Sequence, residues 1–348
     1  MNDGLDRDFE AITTSCAPLF SSLQGKRLLL TGGTGFFGKW LLGFFNYAYR
    51  TRGLDLELLV LSRNPEAFAR DYPQFLSPQV RWIRGDIRTF PLDLPVDYVI
   101  HGATEASAVL NEQNPLEMLD VITQGTSHLL RVCSGKKPSK ILLLSSGAVY
   151  GTQPPHFSHQ PDDSQTAPDI HAASNAYGEG KRLSELLGAI HHKVTRQEVA
   201  FARCFAFIGP YLPLDTHFAV GNFMNDCLHH RPIVIQGDGT AYRSYLYAAD
   251  LVSWLLTILV TGKNLTSYNV GSEESLTILE IAQAMSRTWE RLTGEKIPVE
   301  VRGIPTLNAP VHRYVPSTLR ARTELGLKVS HSLDQGLQKS LTWHLGLH

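Results

Sequence analysis

The chain has 348 residues, 43% of them hydrophobic and 19% charged, with 32 Lys and Arg against 33 Asp and Glu. That length suits one large core with a smaller lobe beside it, at roughly 100–200 residues per domain. The balanced charge excludes the basic footprint that nucleic acid or an anionic membrane surface requires.

The opening stretch, MNDGLDRDFE, lacks the basic start and apolar run of a signal peptide. The most apolar segment, Leu251 to Val260, is too short to span a bilayer and reads as a buried helix face. The four cysteines, Cys16, Cys133, Cys204 and Cys227, are widely spaced and form no CxxC pair, which points to a reducing compartment and a cytoplasmic location.

Strand-like apolar runs recur at Arg27 to Thr31, Glu57 to Leu61, Val80 to Ile83, Tyr98 to His101, Ile141 to Ser145 and Val199 to Cys204. Helical stretches begin between them near Phe36, Pro65, Pro115 and Ala176. Asn114-Pro115 reads as an N-cap followed by proline at the first helical position of a long helix reaching about Cys133. This alternation predicts an α/β fold, a Rossmann-like doubly wound parallel sheet with a smaller C-terminal α/β substrate lobe. Residues 1–204, mainly 25–204, form the dinucleotide domain in this reading, and 205–348 the lobe, with about 236–270 returning to the main sheet. Helical patterns return at Asp250 to Val260, Thr277 to Leu292 and Ser332 to Leu345.

In LLLTGGTGFFGKWLL a strand runs through glycines into a helix. Gly32 allows the tight turn, Gly35 lets the backbone approach a pyrophosphate, and Gly38 lets the helix pack on the strand. Phe36 and Phe37 open the helix, whose N-terminal N–H groups favour an anion. The expected ligand is therefore NAD(P), held on this loop.

Tyr177 and Lys181 are four residues apart in Tyr-Gly-Glu-Gly-Lys, so on a helix they share a face. The lysine cation is expected to favour the phenolate and lower the tyrosine pKa. About 30 residues upstream, Ser146 ends a strand in LSSGAVYG. Its hydroxyl would bond the reacting oxygen while Tyr177 moves the proton and hydride moves to or from a nicotinamide.

The GxxGxxG spacing, Ser146 and the YxxxK pair, in that order, resemble the extended short-chain dehydrogenase/reductase family, and from about Gly25 to Trp343 its nucleotide-sugar epimerases, dehydratases and reductases. The resemblance implies a nucleoside-diphosphate sugar as substrate, Lys181 on the nicotinamide ribose and a homodimer built on the helices of Tyr177 and Pro115. It places Asp86 and Ile87 near the adenine, and His101, Gly102 and Ala103 along the cofactor. Ser62-Arg63 stands where an NAD-specific site carries Asp; Arg63 could meet a 2′-phosphate, tilting the expectation toward NADP(H), or it could stack on adenine or face solvent. Asn222 and Arg243, with Arg313 behind them, match positions that meet the nucleotide diphosphate.

The chain departs from the family in four places. Ala206 replaces the asparagine of the RxxNxxGP segment, and Ile122 replaces another asparagine. Gly147 and Ala148 stand where dehydratases carry Asp and Glu, and Ala148 where decarboxylases carry Glu. The remaining serine, tyrosine and lysine suffice for C4 chemistry as a 4-epimerase or a 4-keto reductase. Glu105 leaves open an atypical dehydratase, or it merely bonds sugar hydroxyls. A reductase of non-sugar carbonyls and a non-catalytic dinucleotide sensor are the other readings. The loop from Thr152 to Asn175 borders the substrate entrance, and its His156, His159 and His171 are irregularly spaced, so no metal is expected.

Overall fold

The computed structural model describes residues 4–104, 108–214, 218–304 and 310–347. Its first half runs α1 (Asp6–Cys16), α2 (Phe20–Leu23), β1 (Lys26–Thr31), α3 (Phe36–Arg52), β2 (Leu56–Ser62), α4 (Pro65–Asp71), β3 (Val80–Arg84), β4 (Tyr98–His101), α5 (Ala108–Gln113), α6 (Pro115–Lys136), β5 (Lys140–Ser146), α7 (Ala176–Thr195) and β6 (Glu198–Cys204). The second half adds β7 (Phe207–Ile208), α8 (Ala219–Leu228), β8 (Ile233–Ile235), β9 (Tyr242–Arg243), β10 (Leu246–Tyr247), α9 (Ala248–Thr261), β11 (Ser267–Val270), β12 (Leu276–Thr277), α10 (Ile278–Thr293), β13 (Val299–Val301), β14 (Arg313–Tyr314), α11 (Leu319–Leu325) and α12 (Leu333–His344). Asn114 caps α6 by accepting from the Glu117 N–H at 3.2 Å, with Pro115 in the first helical position.

Seven strands form one sheet in the order β11-β6-β5-β4-β1-β2-β3, every pair of them parallel. Successive side chains of each strand enter opposite cores, which makes the sheet doubly wound. Leu28 and Leu30 of β1 join a core cluster with Trp40, Phe44 and Leu255, whereas Leu29 joins the opposite one with Leu129, Leu143 and Phe201. The seventh strand lay outside the six expected from the sequence because Asn269 interrupts its apolar run. That side chain is fully buried yet satisfied, accepting from the Tyr150 hydroxyl and donating to the Gln160 and Ser317 carbonyls.

Smaller sheets fill the second half: β12-β9-β14, β10-β7 and β13-β8. The larger core continues into this half through Phe223, Met285 and Trp289, so the two parts share one hydrophobic interior. Ahead of β1, Phe9 of α1 packs edge-on against Trp40 at 5.7 Å. Buried Asp8 accepts from the Tyr247 hydroxyl at 2.8 Å and the Lys339 amine at 2.7 Å, tying the N-terminal helix to α12. Among the described residues no helix is long and apolar enough to cross a membrane.

The strand order reverses between β1 and β4, and a crevice opens beyond the carboxyl ends of such a pair. Here the two outgoing loops touch. Gly32 has φ +77°, and a Cβ on it would stand 2.5 Å from the Gly102 carbonyl oxygen. Thr31 locks the contact, its hydroxyl oxygen accepting from the Gly102 and Ala103 N–H groups at 3.2 and 3.1 Å.

Those two bonds fill the Thr31 lone pairs, so its own proton goes to His101 Nδ1 at 2.8 Å. His101 is then the Nε2–H tautomer and donates to Thr126 of α6 at 3.1 Å, which in turn meets Ser184 of α7 at 3.1 Å. The His101 ring thus lies inside the molecule, 6% exposed, and does not line the cofactor crevice as its place in the motif suggested. Burial, with a smaller contribution from the Lys181 charge, lowers its pKa from 6.5 to about 3. The unfolded chain takes up this proton below pH 6.5 and the folded chain resists it, so stability falls as pH drops from 6.5 toward 3. The expected slope from this group is up to roughly 1.4 kcal/mol per pH unit. Urea midpoints measured at pH 6.5 and 5 should fall less for His101→Gln than for the native chain; equal falls would refute the assignment.

Candidate active site

The first turn of α3 points its N–H groups at the glycine loop, where Gly35 is exposed and its own N–H donates to the Gly32 carbonyl at 3.1 Å. Phe37 sends its ring against Phe207, 4.9 Å between centroids, so only its backbone is left to face a pyrophosphate. Further along the carboxyl edge, Ser62 is buried and accepts from the Asn64 N–H at 3.2 Å, while Arg63 is exposed beside it. Asp86 is gripped by Arg88 through both carboxylate oxygens, at 2.8 and 3.0 Å, which holds its carboxyl below the usual range. The Ile87 side chain is buried in the second core cluster against Gly125.

Helix α7 carries Tyr177 and Lys181, and two glycines between them let it come close. A Cβ on Gly178 would stand 2.8 Å from the Ala148 carbonyl, and one on Gly180 would stand 3.1 Å from Ile122. Each glycine in a helix interior costs about 1 kcal/mol relative to alanine. The return is a catalytic helix seated on the turn after β5 and on α6. Ile122, buried at the position of the family asparagine, thus supplies packing against α7 in place of a hydrogen bond.

Lys181 is 6% exposed, and its ammonium donates to the Leu144 carbonyl at 2.8 Å and the Thr104 hydroxyl at 2.9 Å. Two of its three N–H groups are used in these bonds, leaving a third for a ribose hydroxyl. Burial lowers its pKa from 10.5 to about 8. The exposed loop glycine, the helix N-terminus and this buried amine fit a dinucleotide laid across the β1–β4 crevice.

The Tyr177 phenol lies near the Ser146 hydroxyl, which accepts from the Ala148 N–H at 3.1 Å. Here the electrostatic expectation is corrected. Burial dominates and pushes Tyr177 up to about 12, with the nearby Ser146 hydroxyl opposing it; the Lys181 amine lies 5.8 Å from the ring centroid and is not the controlling influence. A neighbouring cation acts weakly when its own burial drives it toward the neutral amine.

Arg243 and Arg313 lie on the paired strands β9 and β14, in the register Arg313↔Tyr242 and Tyr314↔Arg243. The Arg313 guanidinium stacks 4.0 Å over the Tyr242 ring, and Arg243 donates to the Tyr242 carbonyl at 2.8 Å. Asn222 is exposed on α8. Glu105 lies outside the described residues. Of the entrance-loop histidines, His159 faces the Glu273 carbonyl at 3.0 Å and His156 packs on Phe157.

Sequence reasoning missed Tyr314. Its hydroxyl lies over Gly147, and its ring packs on Phe205 at 4.7 Å between centroids. A Cβ on Gly147 would stand 2.8 Å from the Tyr314 oxygen and 2.8 Å from the Phe205 ring. The missing carboxyl at 147 therefore has a steric reason. The only sequence signal was the absence of a side chain at Gly147, which leaves room for large aromatic groups.

The model of the NAD dependent epimerase/dehydratase family matches residues 28–271. Among similar proteins, UDP-glucuronic acid decarboxylase 2 of Arabidopsis thaliana is 29% identical over 320 residues, 92% of this chain and 68% of that one. An epimerase from the methanogen Methanothermobacter thermautotrophicus superposes with a TM-score of 0.78 at 24% identity, covering 96% of each chain. UDP-glucuronic acid 4-epimerase from Bacillus cereus, solved with UDP-glucuronic acid and NAD, gives a TM-score of 0.73 at 22% identity over 92% of this chain and 100% of that one. With the family model spanning more than half the chain on a doubly wound sheet, this protein belongs to the NAD dependent epimerase/dehydratase family, within the extended short-chain dehydrogenase/reductase group.

Proposed function

We propose that the protein removes hydride from C4 of the hexose in a nucleoside-diphosphate sugar, and that the sugar is a UDP-hexuronic acid which then loses its carboxyl group. The observation carrying this is the cluster of Ser146, Tyr177 and Lys181 at the carboxyl edge of the sheet, beside the glycine loop. Bound NAD(P) would supply the hydride acceptor and donor for this step. Tyr177 takes the O4 proton, Ser146 bonds the same oxygen, and Lys181 holds the ribose. Arg243 and Arg313 grip the diphosphate, and Asn222 is assigned to it from its place in the family pattern.

A C4 ketone makes the C6 carboxylate a β-keto acid. Its C5–C6 bond breaks, CO2 leaves, and the electron pair is held as an enolate whose oxygen faces Ser146 and Tyr177. A proton then joins C5. This sequence asks for no carboxylate base at Gly147, and it agrees with the decarboxylase names of the similar plant and fish proteins. The departure from the decarboxylase pattern at Ala148 favours a second reading, 4-epimerisation, in which hydride simply returns to the other face.

The dinucleotide is NAD in the Bacillus cereus neighbour. In this chain exposed Arg63 supports NADP(H) and with it a third outcome, reduction of a 4-keto sugar. The buried free thiols of all four cysteines support a cytoplasmic setting. We also assign residues 1–204, with about 236–270, to cofactor binding and the remainder to the sugar. Leu183, Leu186, Ile190 and Val194 form an exposed apolar stripe on α7, which supports a homodimer through this helix and α6. Light scattering should give twice the chain mass, falling to one chain mass in Leu186→Asp/Ile190→Asp; a native monomer would refute the dimer.

The catalytic reading is tested by product analysis with UDP-glucuronic acid, UDP-glucose and a 4-keto sugar nucleotide. Release of CO2 with a UDP-pentose supports decarboxylation, a C4 epimer supports epimerisation, NADPH consumption supports reduction, and loss of water points to Glu105. Tyr177→Phe should lower turnover by about 10²–10⁴-fold while NAD still binds. Native turnover in that variant, or no turnover of any nucleotide sugar by the native protein, would overturn the proposal.

A further inference from the structure

The first backbone N–H groups of a helix have no partner within it, and the side chain just before the helix commonly accepts from the second or third helical residue. In α7 the residue placed for that task is Asn175, yet its side chain makes no capping bond and donates instead to the Asp169 carbonyl at 2.9 Å. The second helical residue is Tyr177 itself. Its N–H donates to the Asn111 side-chain oxygen at 3.0 Å, and the Asn111 amide nitrogen donates to the Ser174 carbonyl at 2.7 Å. A residue of α5 thus caps the helix of Tyr177 and Lys181 from another part of the chain.

Asn111 is itself held by the joint between α5 and α6. The Asn114 N–H donates to the Leu110 carbonyl at 2.8 Å, while the Asn114 side chain accepts from the Glu117 N–H at 3.2 Å, so the end of one helix fixes the start of the next. Helix α7 meets this unit twice, at the contact of Gly180 with Ile122 and at the Tyr177 N–H. The same connection from β4 to α6 supplies Thr104, whose hydroxyl accepts from the Lys181 ammonium at 2.9 Å. It therefore grips Lys181 by the side chain and Tyr177 by the backbone.

Resting on the C4 reading above, we propose that Asn111 is a positioning residue: by capping the Tyr177 N–H it fixes the first turn of α7, and with it the place where the Tyr177 phenol meets the reacting sugar hydroxyl. Helix ends fray, and Tyr177 sits at one. A small tilt of that turn is carried out to the phenol oxygen at the tip of the side chain. A displacement of about 1 Å at the reacting atoms can cost on the order of 100-fold in rate.

Asn111→Ala removes both bonds. With the sugar nucleotide that the native protein turns over, kcat should fall about tenfold while KM stays within about twofold, the signature of an interaction that acts on the reacting geometry and leaves substrate binding intact. Circular dichroism and the NAD dissociation constant from tryptophan quenching should match the native protein, because Lys181 and Thr104 keep their bond. Asn111→Asp retains an oxygen for the Tyr177 N–H, and its negative charge suits a helix N-terminus. It should recover most of the lost kcat even though the bond to Ser174 is gone. Asn111→Leu, similar in size but without the oxygen, should be as slow as Asn111→Ala and serves if that variant misfolds.

A native kcat in Asn111→Ala and Asn111→Leu, or an Asn111→Asp protein as slow as they are, would overturn the role of Asn111; with Tyr177→Phe inactive, the C4 reading would still stand. A Tyr177→Phe protein that turns over at the native rate, or a native protein that turns over no nucleotide sugar, would overturn both.

Discussion

The hydrogen-bond chain from Thr31 through His101 and Thr126 to Ser184 sets the geometry on which the rest of the molecule depends. It crosses the sheet at its reversal point and joins β1, β4, α6 and α7 through buried polar groups. A buried polar network of this kind stabilises only when each member is satisfied, and here the donor and acceptor counts close around a neutral imidazole. The loop that would cradle a pyrophosphate and the helix that carries Tyr177 and Lys181 are thereby held in one register. Neither could shift without leaving a buried hydroxyl or ring nitrogen unpaired.

Against that frame, the chemistry is set by what surrounds Ser146. Lys181 is fixed by a carbonyl and a hydroxyl, so its charge is presented to the crevice and has no carboxylate among its hydrogen-bond partners. Tyr177 is buried enough that its phenol is a poor base until it is assisted. The aromatic pair of Phe205 and Tyr314 occupies the space over Gly147. A site built this way contains, among the described residues, no acid–base pair next to Ser146 for elimination.

Much of this was legible in the sequence because it depends on local pattern. The six expected strands, the proline-led helix at Pro115, the glycine loop and the order of Ser146, Tyr177 and Lys181 follow from periodicity and spacing. The remainder depends on groups far apart in the chain. His101 reads as a crevice residue until Thr31 and Thr126 are seen on either side of it. Asn269 reads as a break in a strand until its three partners appear. Tyr314 sits on a strand of two residues, and only packing on Phe205 brings its hydroxyl over Gly147. Asp8 carries no motif, yet it anchors the first helix to the last.

The central claim is that hydride leaves C4 of a nucleotide sugar at Tyr177. Its most direct test compares the initial rates of UDP-glucuronic acid and UDP-glucose carrying deuterium at C4 with those carrying it at C5. Slower turnover with deuterium at C4, and retention of that deuterium at C4 of the product because it is returned there, is the predicted result. A rate that responds only to deuterium at C5 would contradict it.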